Sequence, residues 1–397
     1  MNVKISGANV LGEVKAIPSK SYAHRISICN FLAGKTPTAN CGQFTSKDIT
    51  ATEQCLKDIA EGKFELDCGE SGSTLRFLIP LCASIGGKFS LIGHGKLMER
   101  PNEELFNALK GHGVTAEKTD RIILNGKLTG GEFKIRGDIS SQYVSGLLMA
   151  LPSLKEDSKI VLITPLASSP YVDITIEVLS NFGVKIEKTD YGFFIKGNQV
   201  YSGEVYPEGD WSNSAFFLVL GAISGDVTVS GLNLNSVQGD RAILDILTQS
   251  GAQVQCEKNS VRVQKSALSH FTMDAENCPD LVPIASVLGA NADGVTVINN
   301  VERLKIKESD RIQTTIDMLS RFGVRAESDG HSLKIYGGKA KGCEVDSHND
   351  HRIAMSVAVM ATRVEEHTVL TDAKAVEKSY PTFFKDFISV GGRVTNG

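Results

Sequence analysis

The chain has 397 residues, too many for one average domain, so two are expected. Its 41% hydrophobic and 22% charged residues suit a globular protein, and a net charge of −4 excludes a nucleic-acid binder working through a global basic field. Eight scattered cysteines with no CxxC pair exclude a disulfide framework, no apolar run reaches membrane-spanning length, and MNVKISGANVLGEV lacks a signal-peptide core, so a cytoplasmic protein is expected.

From Pro18, PSKSYAHRISICNFLAG starts polar and turns apolar, which predicts a helix buried on every side. Its first turns carry Ser19, Lys20, Ser21 and Arg25. A degenerate amphipathic segment, CLKDIAEGKFELDCGE, follows. The run SGSTLRFLIPLCASIGG from Ser71 repeats the polar-then-apolar pattern and opens on Gly72, Ser73, Thr74 and Arg76. MERPNEE is a loop with Arg100. LFNALKGHGVTAEKTDRIILNG then reads as an amphipathic helix ending in glycine, followed by two short alternating strands. SSQYVSGLLMALP opens on Ser140, Ser141 and Gln142, and IEVLSNFGVKIEKTDYGFFIKG repeats the amphipathic module. SNSAFFLVLGAISG from Ser212 and LDILTQSGAQVQCEKNSVRVQK form the next pair. PDLVPIASVLGA, with Asp280, leads through the loop ERLKIKESDR to IDMLSRFGVRAESDGHSLKIYGG. NDHRIAMSVAVMA from Asn349, VEKSYP with Lys378, and FFKDFISVGGRV close the chain, the last read as a copy cut off by the C-terminus.

The apolar runs from Ser71, Ser140, Ser212, Pro279 and Asn349 start 69, 72, 67 and 70 residues apart. Glycines 113, 183, 251, 323 and 391, each ending an amphipathic helix, are 70, 68, 72 and 68 apart. Each unit therefore reads as strand, buried helix, strand, amphipathic helix, strand, strand, and six βαβαββ repeats fill the chain as an α/β protein. A helix buried on all sides needs neighbours of its own kind, so three parallel ones are expected inside each of two domains. Their N-termini, with free N–H groups and partial positive charge, make an anion-binding face.

The polar residues at those starts have a plain reading as helix caps and solvated charge. Arg25, Arg76 and Arg352, however, stand near helix N-termini, where a positive charge opposes the macrodipole unless an anion lies between. For the sixth start, His348-Asn349-Asp350-His351-Arg352, three readings compete: a metal pair, an anion site, or a cap in which Asp350 also orients Arg352. The metal reading is the weaker one, because neither an HExxH pattern nor a cysteine partner is near. The chain has no GxxxxGK[ST] loop and no GxGxxG after a strand, which leaves nucleotide chemistry without support.

Together PSKSYAHR, GESGSTLRFL, MERP, SSQY, KESDR, NDHR and EKSYP resemble, over the whole chain, the 5-enolpyruvylshikimate-3-phosphate synthases, enolpyruvyl transferases of aromatic amino-acid biosynthesis. The resemblance implies a two-lobed inside-out α/β barrel with three repeats per lobe, closing over the substrates. One lobe would be 1–17 plus 209–397 and the other 18–208, with crossovers near 18 and 208. It implies transfer of the enolpyruvyl group of phosphoenolpyruvate to the 5-hydroxyl of shikimate 3-phosphate by addition and elimination, without metal or organic cofactor. It also implies small-molecule partners only, neither nucleic acid nor membrane, and a monomer suffices.

Carried over by position, Lys20, Arg100 and Lys378, with Gly72 and Ser73, would hold the phosphate of phosphoenolpyruvate, and Gln142 would help to bind that substrate. Arg311 and Arg352 would hold its carboxylate. Lys20, Ser21, Arg25, Ser140, Ser141, Gln142, Ser168, Tyr171, Asp280 and Lys307 would hold shikimate 3-phosphate. Asp280 would serve as base, Glu308 would move the proton at the vinyl carbon, and Lys20 would take part in catalysis. An acid/base pair and several cations are what such chemistry needs. The chain departs from the family pattern in lacking a Gly before Ser19, and in Glu70, Ser73, Ser169 and Arg303, the last at a shikimate contact.

The nearest rival is UDP-N-acetylglucosamine enolpyruvyl transferase. Its early Lys-Asn pair is absent, since Ser21 follows Lys20, and the Arg100 loop carries no cysteine. A non-catalytic binder of phosphorylated ligands is a second alternative. Such a binder has little reason to keep Asp280 and Glu308 among so many cations.

Overall fold

In the computed structural model, which describes residues 1–397, the helices in chain order are α1 (Lys20–Leu32), α2 (Lys47–Ala60), α3 (Gly72–Ile85), α4 (Glu103–Leu109), α5 (Ser141–Ala150), α6 (Ser169–Asn181), α7 (Trp211–Ser224), α8 (Ile243–Gln249), α9 (Val282–Ala290), α10 (Arg311–Arg321), α11 (His351–Ala361) and α12 (Phe383–Ser389). The odd-numbered helices are the apolar runs. Every residue of α7, α9 and α11 is buried, as are twelve of the fourteen in α3. The even-numbered ones are the amphipathic runs. Gly113, Gly183, Gly251, Gly323 and Gly391 all have positive φ, between 79° and 99°, the left-handed turn that ends each of those helices.

Packing divides the chain into two units, Met1–Ser19 with Glu208–Gly397, and Lys20–Pro207. The second unit holds two four-stranded sheets, one of Glu65–Asp67, Gly87–Ile92, Ile122–Gly126 and Val114–Lys118 in spatial order, the other of Gly131–Ile135, Ser158–Leu162, Gly192–Ile195 and Ile186–Thr189. In each, the first two strands run parallel and the hairpin adds antiparallel. This is the predicted repeat: a buried helix crosses between the parallel strands and an amphipathic helix leads into the hairpin. α3 and α5 pack closely because Gly146 has no side chain; a Cβ there would lie 2.8 Å from the Arg76 carbonyl oxygen.

The first unit holds three sheets of the same kind, and α7, α9 and α11 pack against one another. The repeat that the C-terminus cuts short is completed by the N-terminus. Val3–Ser6 lies between His367–Thr371 and Arg393–Asn396, pairing Ile5 with both Thr368 and Val394. Val10–Lys15 likewise joins Gly225–Ser230 in parallel and starts the repeat of α7.

The first of the six repeats, whose amphipathic segment reads as degenerate, lacks its own sheet. There are five sheets. The first repeat is reduced to α1 and α2. The joining segment 33–46, with three Thr, two Gly and one Pro, forms only a 3₁₀ turn at Gly42–Phe44, and four residues after α2 leave no length for a hairpin. All eight cysteines are free thiols, and no helix is long and apolar enough to cross a membrane.

Candidate active site

In the unit Lys20–Pro207 the site grows from three buried helix starts. α1 opens on Lys20, whose Nζ lies 2.8 Å from Asp48 Oδ2 in the first turn of α2. α3 opens on Gly72 and Ser73 after the capping Ser71, whose hydroxyl accepts from Thr74 N. α5 opens on Ser141 and Gln142 after the capping Ser140. The starts of α3 and α5 are cross-linked: Gln142 Nε2 donates to Ser73 Oγ at 2.8 Å, and Arg76 Nη1 donates to Gln142 Oε1 at 2.8 Å.

Arg76 has no need of an anion. Its remaining groups donate to Pro101 O (3.0 Å) and Asn102 Oδ1 (3.4 Å), and it lies over Tyr143, which itself donates to Pro101 O. It is a strut that holds the loop bearing Arg100. The Arg100 guanidinium rests directly on Gly72, where an added Cβ would meet Nη1 at 2.4 Å and Cζ at 2.9 Å. Arg100 Nε is buried with no hydrogen-bond partner, so this cation faces the start of α3 with donor capacity to spare. Backbone N–H groups and a guanidinium aimed at one point suit an oxyanion.

This contact predicts the effect of Gly72→Ala. The methyl displaces the end of a flexible Arg100 side chain rather than backbone, so the fold survives. The melting temperature is expected to hold, while affinity for an oxyanion at this start falls by about tenfold, the worth of one charge-assisted hydrogen bond. Titration with inorganic phosphate checks it.

Arg25 also differs from expectation. It sits in the second turn of α1 and is spent on protein acceptors: Thr175 Oγ1 (2.7 Å), Ser21 O (2.6 Å), Tyr171 O (2.8 Å) and Ser145 Oγ (3.3 Å). Burial lowers its pKa to about 10. Of its five N–H groups one, on Nη1, is left for a ligand. Arg25 thus ties α1 to α5 and to the first turn of α6, where Tyr171 follows Ser168. Ser168 itself is held in a left-handed conformation, φ 54°, costly for a residue with a Cβ and characteristic of functional turns.

In the other unit the starts of α9, α10 and α11 meet. Asp280 stands in the 3₁₀ turn Pro279–Leu281 ahead of α9. Its Oδ1 accepts from Arg311 Nη1 at 2.8 Å and lies 3.5 Å from Lys307 Nζ; Oδ2 accepts from Arg352 Nη2 at 2.9 Å. Arg311 also donates to Glu308 Oε2 (2.6 Å) and to both oxygens of Asp350 (2.8 and 3.3 Å). Lys378 Nζ donates to Asn349 O at 2.7 Å, beside the start of α11. Asp350 caps α11 through Arg352 N, as expected, but the guanidinium it grips is that of Arg311. Arg352 is held by Asp280 instead. Asp350 and Arg311 are both almost wholly buried, and charges so placed must pair; packing brings Arg311 to Asp350 and Arg352 to Asp280.

These contacts set the charges. Burial alone would raise Asp350, but Arg311 overrides it and holds the carboxyl below its ordinary range. Arg311 is pushed well above its ordinary value, since Asp350, Glu308 and Asp280 outweigh its own burial. Burial lowers Lys307 to about 8. An anion bound by Lys307 is therefore held less well once pH rises through about 8 in the free protein. Lys307→Arg, which stays charged, is expected to remove that fall from the pH profile of anion binding.

Sequence reasoning missed four neighbours. Asp48 was not singled out, although Ser46-Lys47-Asp48 has the cap-plus-acid signature of a helix start. Asp240, buried beside Asp280 and Arg352, is raised to about 7 by burial and by the Asp280 charge. Thr175 and Ser145 carry no local signal at all. Of the metal pair, His348 is exposed, with Nδ1 3.8 Å from Asp346, and His351 is buried in α11; no group of three or more His, Cys, Asp or Glu is placed to hold a metal ion.

Comparison with known proteins bears on both sets of residues. The chain is 40% identical to the 3-phosphoshikimate 1-carboxyvinyltransferase of Clostridium kluyveri, over 99% of this chain and 98% of that protein. It is 38% identical to the enzyme of the same name from Clostridioides difficile, with the same coverage. Among solved structures, the EPSP synthase of Acinetobacter baumannii superposes with a TM-score of 0.79 at 23% identity over the full length of both chains. The enolpyruvyl transferase NikO of Streptomyces tendae superposes at 0.78 with 17% identity, over 100% of this chain and 98% of that one; both likenesses carry the fold. A model of the EPSP synthase family, 3-phosphoshikimate 1-carboxyvinyltransferase, matches residues 57–387. On a match of that extent, and on identity near 40% across whole chains, the protein belongs to the EPSP synthase family.

Proposed function

We propose that the chain transfers the enolpyruvyl group of phosphoenolpyruvate to the 5-hydroxyl of shikimate 3-phosphate, releasing phosphate, in the shikimate pathway. The observation that carries this reading at the level of the site is the ring of Asp280, Glu308, Arg311, Arg352 and Lys307, two accessible carboxylates among cations, on a chain of this family.

The residues act as follows. The 5-hydroxyl oxygen adds to the enol carbon while Asp280 takes its proton. Glu308 gives a proton to the methylene. In the second half the same methyl group returns a proton to Glu308, the C–O bond to phosphate breaks, and phosphate leaves with the electron pair and takes up the proton that Asp280 had removed. Lys20, Arg100, Lys378 and the N–H groups of Gly72 and Ser73 bind that phosphate as its charge grows. Arg311 and Arg352 bind the carboxylate, and Gln142 orients phosphoenolpyruvate through its bridge to Ser73. Ser21, Arg25, Ser140, Ser141, Ser168, Tyr171 and Lys307 bind shikimate 3-phosphate. In the ligand-free protein Asp280 is neutralised by Arg311, Arg352 and Lys307. These are the cations assigned to the substrates, so substrate entry draws them off the carboxylate.

The segments near residues 18 and 208, where the chain passes between lobes of three repeats, serve as hinges on this reading. The protein works as a monomer in the cytoplasm. UDP-N-acetylglucosamine as acceptor is set aside by the names of the relatives. The test is phosphate release. It is expected only with phosphoenolpyruvate and shikimate 3-phosphate together, and release with UDP-N-acetylglucosamine in place of the latter overturns the reading.

A further inference from the structure

A hydrogen-bonded chain runs from the interior of the unit Lys20–Pro207 to the start of α3. His24 Nδ1 lies 2.8 Å from Thr52 Oγ1, Thr52 Oγ1 lies 2.6 Å from Thr74 Oγ1, and Thr74 Oγ1 lies 2.8 Å from Ser71 Oγ. All four residues are buried, none more than 1% exposed. The Asp48 carbonyl offers Thr52 and Thr74 a second acceptor, at 3.4 and 3.3 Å, and both contacts are longer than those within the chain.

The direction of the chain is decided at its inner end. His24 is neutral: burial first, then Lys20 and Arg25, press its pKa well below the ordinary value. A neutral imidazole carries one N–H. Nε2 is buried without a partner. A proton there would be an orphaned donor, whereas a bare lone pair is the lesser penalty, and two neighbouring cations favour it. The proton therefore belongs on Nδ1 and is donated to Thr52. Thr52 then donates to Thr74, and Thr74 to Ser71. At the outer end Ser71 Oγ already accepts twice, from Thr74 Oγ1 and, as the cap of α3, from Thr74 N at 3.2 Å. Both lone pairs are filled, so its own O–H points away from the chain.

We infer that Ser71 is a further binding residue of the site at the start of α3, giving its hydroxyl proton to the phosphate of phosphoenolpyruvate, and that His24, Thr52 and Thr74 are positioning residues that hold it in that sense. The inference rests on the proposed function, in which Gly72, Ser73 and Arg100 meet that phosphate. Removing any link frees an acceptor on Thr74 or Ser71 and lets the Ser71 proton turn inward.

Three measurements test it. Nitrogen-15 chemical shifts of the imidazole, assigned by comparison with His24→Gln, are expected to show the Nδ1–H tautomer; Nε2–H overturns the direction. Ser71→Ala is expected to raise KM for phosphoenolpyruvate about tenfold, the worth of a hydrogen bond to a charged group, with KM for shikimate 3-phosphate unchanged. Thr52→Val, remote from any ligand, is expected to raise the same KM roughly threefold, and Thr52→Ser, which keeps the hydroxyl, to restore it. A Thr52→Val protein with a lowered melting temperature but wild-type KM would make the chain a packing device and sink the inference. Loss of the proposed function itself is seen separately, as wild-type protein that releases no phosphate from the two substrates.

Discussion

Asp280→Asn is expected to lower kcat by roughly 10³-fold, within the range that general acid–base catalysis contributes. Asn has the shape of Asp but cannot take the proton of the attacking hydroxyl. Its geometry is also only half compatible with the site. Asp280 accepts from Arg311 through one oxygen and from Arg352 through the other. Asn keeps one acceptor and turns an NH₂ toward a guanidinium, donor against donor. One arginine is then released, and KM for phosphoenolpyruvate moves by a few-fold while kcat collapses. Asp280 is about one-fifth exposed, so the fold bears the change. The measurement is phosphate release at saturating concentrations of both substrates, with the melting temperature as control. A kcat within tenfold of wild type would remove Asp280 from the role of base.

Arg311→Met is expected to act first on stability. Arg311 is 1% exposed and joins Asp280, Glu308 and Asp350, and Asp350 is wholly buried. Taking the cation away leaves a buried carboxylate uncompensated, at a cost of about 3–5 kcal/mol. For a unit of this size that lowers the melting temperature by roughly 10 °C. The pH dependence identifies the cause. In the wild type Asp350 is held below its ordinary range, so its stabilisation is present above the unfolded-state pKa and is lost as pH falls through the lower folded value. Without Arg311, burial prevails and raises the folded pKa above the unfolded one. The variant is then penalised most at neutral pH and recovers as acid protonates Asp350. The gap between wild type and variant in urea melts is expected to narrow from pH 7 to pH 5. A gap independent of pH would mean that Arg311 stabilises by packing alone. Arg352→Met makes the contrast: its partner Asp280 is partly exposed, so activity falls with a smaller loss of stability.

Much of the fold was legible because its signals are local. Apolar runs such as SNSAFFLVLGAISG announce buried helices by composition alone, and a glycine at the end of each amphipathic run announces a turn that only positive φ allows. Repetition near 70 residues turned these local signs into an architecture. The reduced first repeat was legible in part, in the degenerate segment CLKDIAEGKFELDCGE. The family motifs in turn named the charged residues at the helix starts.

Partner choice was not legible. Asp350 precedes Arg352 by two residues, which suggested that the one orients the other; the carboxylate instead reaches across 39 positions to Arg311. Arg25 and Arg76, read as cations waiting for an anion, are spent on Ser145, Thr175, Gln142 and the backbone of Tyr171 and Pro101. The strand Val3–Ser6 completes a sheet begun more than 330 residues later. Periodicity, capping and turn chemistry depend on neighbours within a few residues, and the sequence by itself determined those, and with them the repeats, the family and the list of charged groups. Which charge neutralises which, and which hydroxyl proton points outward, depends on depth and on the few ångströms between packed helix starts, because a buried donor or charge takes whatever partner the packing brings; only the tertiary structure decided that.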